Sequence, residues 1–259
     1  MTFLRAKKHL GQHFLKDENI AHKIVNSLNC GLRCKKVLEI GPGKGILTKY
    51  LINEKSFEIF VVEIDKECVS YLEKTLPDLK GKIISADFLK LKLDDYFKEP
   101  FAVIGNFPYN ISSQILFKVL DYRNLVPEVV GMFQKEVAER IAATPKNKSY
   151  GIMSVLMQAF YEIEYLFTVN ETVFSPPPRV KSAVIRLTRN SVEHLGCDEK
   201  LFLRLVKTAF NQRRKTLRNA LKQFNIKKEL SLHRFFSQRA EELSVQEFVE
   251  LTNLVEQNF

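Results

Sequence analysis

Short apolar runs alternate with amphipathic stretches along most of the chain, and that alternation sets the expected fold. Residues 36–40 read as a strand that leads into a glycine-rich turn and a helix over about 46–53. Residues 57–63 predict a second strand, about 66–76 a helix, and 82–85 a short third strand. The run 101–105 is apolar throughout, as a strand buried on both faces would be, and Gly105 and Pro108 end it. A helix over about 112–120 follows, then a strand over 128–133 and a helix over 134–143. Two later β-like runs, 165–169 and 183–187, flank the proline-rich loop Ser175-Pro-Pro-Pro-Arg179. Repeated βαβ units of this kind predict an α/β fold with a mostly parallel sheet and helices on both faces. Beyond about Arg189 the strand signal stops. Leu201, Leu205, Phe210, Leu217, Leu221, Leu243, Phe248 and Leu251 mark helices, so a domain over 1–189 and a small helical domain over 190–259 are expected.

Candidate chemistry gathers at the C-terminal ends of the strands, where open α/β sheets bind ligands. After the first, Glu39-Ile-Gly41-Pro-Gly43-Lys-Gly45 opens a helix, and glycines there let a ligand approach the backbone. A dinucleotide-binding turn is the competing reading, but Ile46 stands where a third small residue belongs and Glu39 precedes the first glycine. A pyrophosphate is disfavoured beside a carboxylate, whereas a cationic sulfonium is not. Glu63, 22 residues beyond Gly41 and followed by Ile64, sits where a carboxylate accepts from both ribose hydroxyls. Asp87 offers an acceptor to an adenine amino group, and Phe88 a ring to pack on the base. Asn106-Phe107-Pro108-Tyr109 ends the fourth strand. Its amide oxygen and a backbone carbonyl can grip both hydrogens of a planar –NH2 group, with the tyrosine ring stacked on the heterocycle. Each feature alone also reads as an ordinary turn or helix cap. Together they describe a pocket for an adenosine-linked methyl donor beside a slot for an exocyclic amine.

The 259 residues are 45% apolar and 27% charged, ordinary for a globular protein, but 40 Lys+Arg against 30 Asp+Glu give a net charge of +10. Such a surplus favours a polyanionic partner. Nine Lys/Arg and no Asp or Glu lie between Leu201 and Lys228, densest at Arg213, Arg214, Lys215 and Arg218. A solvated helix face is the plain explanation; the lack of acidic neighbours favours phosphate contacts. A second basic segment, Arg5, Lys7 and Lys8 followed by Gln12 and His13, combines charge with amide and aromatic groups, so it suits both RNA contact and closure over a cofactor. Cys30 and Cys34 form one C-x3-C, and Cys68 and Cys197 stand alone. No metal set is completed, so reduced thiols and no metal are expected. No run reaches the length of a membrane span and the N-terminus lacks a signal-peptide core, so a cytoplasmic location is expected; the sequence is silent on oligomeric state, and a monomer is the default expectation.

Several segments carry a family pattern: Leu10-Gly-Gln-His-Phe-Leu15, Leu38-Glu-Ile-Gly-Pro-Gly43, Gly105-Asn-Phe-Pro-Tyr-Asn-Ile-Ser112, Phe174-Ser-Pro-Pro-Pro-Arg-Val-Lys-Ser-Ala-Val184 and Ala209-Phe-Asn-Gln-Arg-Arg-Lys-Thr-Leu-Arg218. The chain resembles, over nearly its whole length, the ribosomal RNA adenine N6-dimethyltransferases, in particular the bacterial 16S members. The resemblance implies a Rossmann-like class I methyltransferase domain with a mostly parallel seven-stranded sheet, and a small RNA-binding helical domain. It implies S-adenosylmethionine as donor and two adjacent adenosines near the 3′ end of 16S rRNA, within the small ribosomal subunit or its precursor, as acceptors. Gln12, His13, Leu15, Gly41, Gly43, Gly45, Glu63, Ile64, Asp87, Phe88 and Asn106 would then contact the cofactor. Asn106, Pro108, Tyr109 and Phe174 would hold the target base, and Arg5, Lys7, Lys8, Arg179, Arg213, Arg214, Lys215 and Arg218 the RNA. His13 stands where many members have Asn, which introduces an ionisable group, and Phe107 replaces a common Leu. An enzyme of the same fold acting on 23S rRNA, a non-catalytic ribosome assembly factor and an amine methyltransferase acting on DNA remain as rivals.

Overall fold

The apolar runs become strands because both faces of each can be covered. In the computed structural model, which describes residues 4–29 and 33–257, Phe101, Ala102, Val103 and Ile104 are all fully buried. That is the environment of a parallel sheet layered by helices. In chain order the elements are β1 (Phe14–Leu15), α1 (Glu18–Val25), β2 (Lys36–Ile40), α2 (Thr48–Asn53), β3 (Glu58–Glu63), α3 (Lys66–Thr75), β4 (Ile83–Ser85), β5 (Phe101–Asn106) and α4 (Ser112–Asp121). There follow β6 (Glu128–Gln134), α5 (Lys135–Ala142), α6 (Ile152–Gln158), β7 (Tyr161–Val169), β8 (Phe174–Ser175), β9 (Ser182–Arg189), α7 (Glu199–Asn211), α8 (Leu217–Ala220) and α9 (Val245–Glu256).

Seven strands form one sheet in the order β4-β3-β2-β5-β6-β9-β7. β4, β3, β2, β5 and β6 run parallel, and β9 is antiparallel to β6 with Glu128 opposite Thr188 and Gln134 opposite Ser182. The chain lays β3 and β4 to one side of β2, then returns to lay β5 and β6 on the other. The loops after β2 and β5 therefore part in opposite directions, and the crevice between them is where such sheets take ligands. Asp65 and Asp87 act as side-chain caps at the ends of β3 and β4, accepting from the backbone N–H of Glu67 and Leu89, both at 3.0 Å.

Where structure and expectation differ, the reasons are local. β7 begins at Tyr161, before the expected 165, because it is the last strand of the sheet and turns its acidic Glu162 and Glu164 to water. That mixed composition hides an edge strand. The pairing of β1 with β8, Phe14 opposite Ser175 and Leu15 opposite Phe174, has too little length to leave a periodic signal. The chain divides into two compact units: residues up to 138 with 164–189, and 139–163 with the residues from 190 on. The boundary at 189/190 is thus one of three crossings, because α6 packs on α7 and α9 and Tyr150 sits edge-on to Phe210. Cys34, expected as a thiol, is in a disulfide, whereas Cys68 and Cys197 are free. Cys30, the other member of the C-x3-C pair, lies outside the described residues. No helix among the described residues is long and apolar enough to cross a membrane.

Candidate active site

One cavity opens at the reversal between β2 and β5, walled by residues 9–15, the turn after β2, and the ends of β3, β4 and β5. The β2 turn shapes its floor. Gly41 has φ +66°, and a Cβ there would meet only Pro108 Cδ, at 3.9 Å, so the backbone lies open towards the crevice. Gly43, at φ +56°, lies so close under Phe14 that a Cβ would come 2.9 Å from its ring. Gly45, expected to meet the cofactor, is not in the cavity wall. Its Cα faces α3, where a Cβ would meet Leu72 and Leu76 at 2.9 Å.

Two buried carboxylates lie beneath this turn. Glu39 is 1% exposed and accepts from Thr48 Oγ1 at 2.6 Å. Loss of water pushes its pKa up to about 8, against the Thr48 hydrogen bond and with the help of the Glu63 charge. Glu63 Oε2 accepts from the Gly43 N–H at 3.1 Å and Oε1 from the Asp65 N–H at 2.9 Å. Burial raises the Glu63 pKa although these backbone donors oppose it. Each oxygen retains a lone pair, enough to accept from two neighbouring hydroxyls. Beside it Ile64 is 50% exposed, an apolar surface that a heterocycle would cover. Asp87 and Phe88 border the same space. Phe88 is almost wholly buried, with the Lys118 ammonium 5.3 Å from its ring centre.

At the end of β5, Asn106 Nδ2 donates to the His13 carbonyl at 2.8 Å. That bond fixes the amide and leaves Oδ1 as the acceptor at the cavity. The Pro108 carbonyl accepts from the Ile111 N–H at 3.1 Å and keeps a second lone pair. The Tyr109 hydroxyl is 2.5 Å from Ser182 Oγ, and burial raises its pKa. The His13 ring is stacked on Tyr109 with centroids 5.5 Å apart and planes at 26°, while His13 Nδ1 lies 2.8 Å from the Pro176 carbonyl. Phe174, expected as the second wall of the base slot, is outside the cavity. It is 1% exposed and packed in the core, because pairing opposite Leu15 turns its ring inward.

The N-terminal basic segment serves the pocket in a way its sequence does not reveal. Lys7 Nζ pairs with Asp65 at 2.7 Å and Glu67 at 3.1 Å, and Gln12 Nε2 donates to Asp65 at 3.1 Å. Burial alone would raise the Asp65 pKa, but Lys7, Gln12 and the Glu67 N–H outweigh it and hold the group low. Lys7 is therefore a tie between the cavity wall and the start of α3. Its partner lies 58 residues away, a separation that no local pattern signals. Arg5, Lys8 and Arg179 are exposed. In the helical unit Arg214, Lys215 and Arg218 are exposed, whereas Arg213 pairs with Glu241 at 2.5 Å.

The sheet order, with its pocket at the reversal between β2 and β5, is that of the class I methyltransferase fold. The fold is shared with a dimethyladenosine transferase from Plasmodium falciparum (24% identity, TM-score 0.79, covering 95% of this chain and 98% of that one). It is shared too with the 23S rRNA methyltransferase ErmE (23% identity, TM-score 0.67, covering 94% and 100%). The chain belongs to the ribosomal RNA adenine dimethylase family, which it matches over residues 3–257. Proteins called ribosomal RNA small subunit methyltransferase A are 60% identical in Cytophaga hutchinsonii (98% of this chain, 99% of the relative) and 57% in Parabacteroides distasonis (97% and 94%).

Proposed function

We propose that the protein transfers methyl groups from S-adenosylmethionine to N6 of two adjacent adenosines near the 3′ end of 16S rRNA, dimethylating each during small-subunit maturation. It would work as a monomer in the cytoplasm on the subunit or its precursor. The observation that carries the chemistry is the fixed Asn106 amide, whose Nδ2 is committed to His13 so that Oδ1 and the Pro108 carbonyl form a pair of acceptors. The names of the near relatives support the small-subunit substrate over a 23S one.

The residues present fit the donor. The open backbone at Gly41 leaves room that any side chain would fill, Glu63 keeps lone pairs for the ribose, and Ile64, Asp87 and Phe88 line a place for adenine. Bound S-adenosylmethionine supplies an electrophilic methyl group on a sulfonium. Gln12, His13 and Leu15 close the N-terminal wall over it. Asn106 Oδ1 and the Pro108 carbonyl accept the two hydrogens of the adenine amine and favour the pyramidal nitrogen reached in the transition state. Tyr109, its hydroxyl held by Ser182, presents a face to a base turned out of its stack. The methylated amine is cationic and sheds its proton to water, so the residues need only position it. Two ring layers at carbon contact distance need about 7 Å. His13 and Tyr109, 5.5 Å apart, must therefore separate if the base enters between them.

Asn106→Ala should lower methyl transfer to undermethylated 30S particles by at least ~100-fold, in line with loss of a transition-state hydrogen-bonding group. Calorimetric binding of S-adenosylhomocysteine should fall far less, by no more than the severalfold that loss of the tie to the His13 carbonyl would cause. A near-normal rate in this variant would overturn the assignment, and mass spectrometry of the 16S rRNA 3′ end with and without the gene identifies the acceptor.

A further inference from the structure

Lys118 lies on α4 behind the pocket wall and belongs to no expected site. Its ammonium donates to the Leu89 carbonyl at 3.0 Å and also to the Leu91 carbonyl. It stands 5.3 Å from the centre of the Phe88 ring and 6.0 Å from that of Tyr122. These contacts converge on one short turn. Asp87 caps a 3-10 helix over Phe88–Lys90, with Leu91 as its C-cap. Helical turns leave their last carbonyls without partners, and here one ammonium satisfies both. Asp87, Phe88 and Leu89 line the cavity, whereas Leu91 and Lys118 lie outside its wall. Burial lowers the Lys118 pKa, and the Asp87 and Asp121 charges oppose that shift.

We propose that Lys118 is a positioning residue for the donor: by clamping the Leu89 and Leu91 carbonyls and covering Phe88, it holds Asp87 and Leu89 in the shape that receives the donor's adenine. The inference rests on the adenine reading of Asp87 given above. Removing the ammonium leaves two carbonyls in a partly buried turn without a donor, and each such loss is costly enough to rearrange the turn. The donor site would lose its fit while the acceptor groups Asn106, Pro108 and Tyr109 keep theirs.

The test is a split between donor affinity and turnover. Lys118→Met should weaken S-adenosylhomocysteine binding by calorimetry about tenfold. With saturating S-adenosylmethionine, kcat and the KM for undermethylated 30S particles should stay within about twofold of the parent. Lys118→Arg, which restores a cation with several donors, should recover most of the lost affinity. A Kd within twofold of the parent in the Met variant, or a fall in kcat at unchanged Kd, overturns the proposal. If the Met variant does not fold, Lys118→Gln is measured instead: an intermediate Kd supports the proposal and an unchanged one overturns it. Asp87→Asn in parallel separates the two readings. A raised Kd there with no change at Lys118 removes only the Lys118 proposal, and no change in either variant removes the adenine assignment itself.

Discussion

Glu39 shows how far a single buried group departs from its behaviour in water. An unfolded glutamate titrates near 4.5, whereas burial lifts this one to about 8, with Thr48 its hydrogen-bond donor. Between those values the folded chain keeps a proton that the unfolded chain has released. Unfolding stability therefore falls as pH rises through that window and levels off above about 8. Glu39→Gln removes the titration, so in the absence of donor its stability relative to the parent should improve from pH 5 to pH 8. By linkage the improvement is on the order of a few kcal/mol. Urea unfolding at both pH values checks this; parallel curves for the two proteins would mean that Glu39 ionises in the fold without cost. At this scale type and spacing, taken together, put Gly41, Gly43, Glu63, Asp87 and Asn106 at strand ends, and all five line the cavity, whereas Gly45 does not. The place of Phe174 was not legible. Whether its ring faces the base or the core depends on the register opposite Leu15, which composition does not encode.

Among elements, the central strands were legible because parallel strands covered on both faces are written as unbroken apolar runs. Residues 4–15 were readable as a segment that could close over a cofactor, but the ties that hold them were not, because they are polar and long-range. Leu4 and Phe14 pack with Cys68 of α3, Lys7 and Gln12 reach the Asp65 cap of that helix, and the His13 carbonyl receives Asn106. Asp65 thus fastens the wall to the strand end that carries Glu63. Lys7→Met would leave the capping bond to the Glu67 N–H intact and release the wall. Donor affinity should fall severalfold, and the salt dependence of RNA binding should stay as it was. A calorimetric titration with S-adenosylhomocysteine and a salt series on the same variant decide between the tie and a phosphate contact. Reduced salt dependence with unchanged donor affinity would return Lys7 to the RNA surface. The α1 helix had a readable signal in its Asp17 cap and the spacing of Ala21, Ile24 and Val25, but at eight residues it is short enough to pass for a loop.

Across the molecule the surplus of positive charge has to be divided between structure and partner. The charge run from 201 to 228 was legible, but which of its members are spoken for was not, because their partners lie far along the chain. Arg213 pairs with Glu241 and donates to the Asn147 carbonyl at 3.4 Å, joining three segments of the helical unit. Arg218 donates to the Ser231 carbonyl at 2.9 Å. Arg214 and Lys215 are exposed, and Lys215 lines a shallow polar groove with Gln212, Asn219 and Lys222. A cation that neutralises a phosphate releases counterions, which steepens the fall of affinity with salt by roughly 0.7–0.9 per contact. Replacing both Arg214 and Lys215 by Ala should therefore flatten the plot of log K against log salt for 16S rRNA by about 1.5. Thermal stability should hardly move, since neither side chain is buried. Arg213→Ala should do the reverse: its Tm falls because the Glu241 carboxylate loses its cation and the Asn147 carbonyl keeps only the Tyr150 N–H, while the salt slope stays near that of the parent. Fluorescence anisotropy across a salt series, with melting curves on the same preparations, separates the two roles. If Arg213→Ala flattens the slope as much as the double variant without lowering Tm, the pair with Glu241 is incidental and Arg213 belongs to the RNA face.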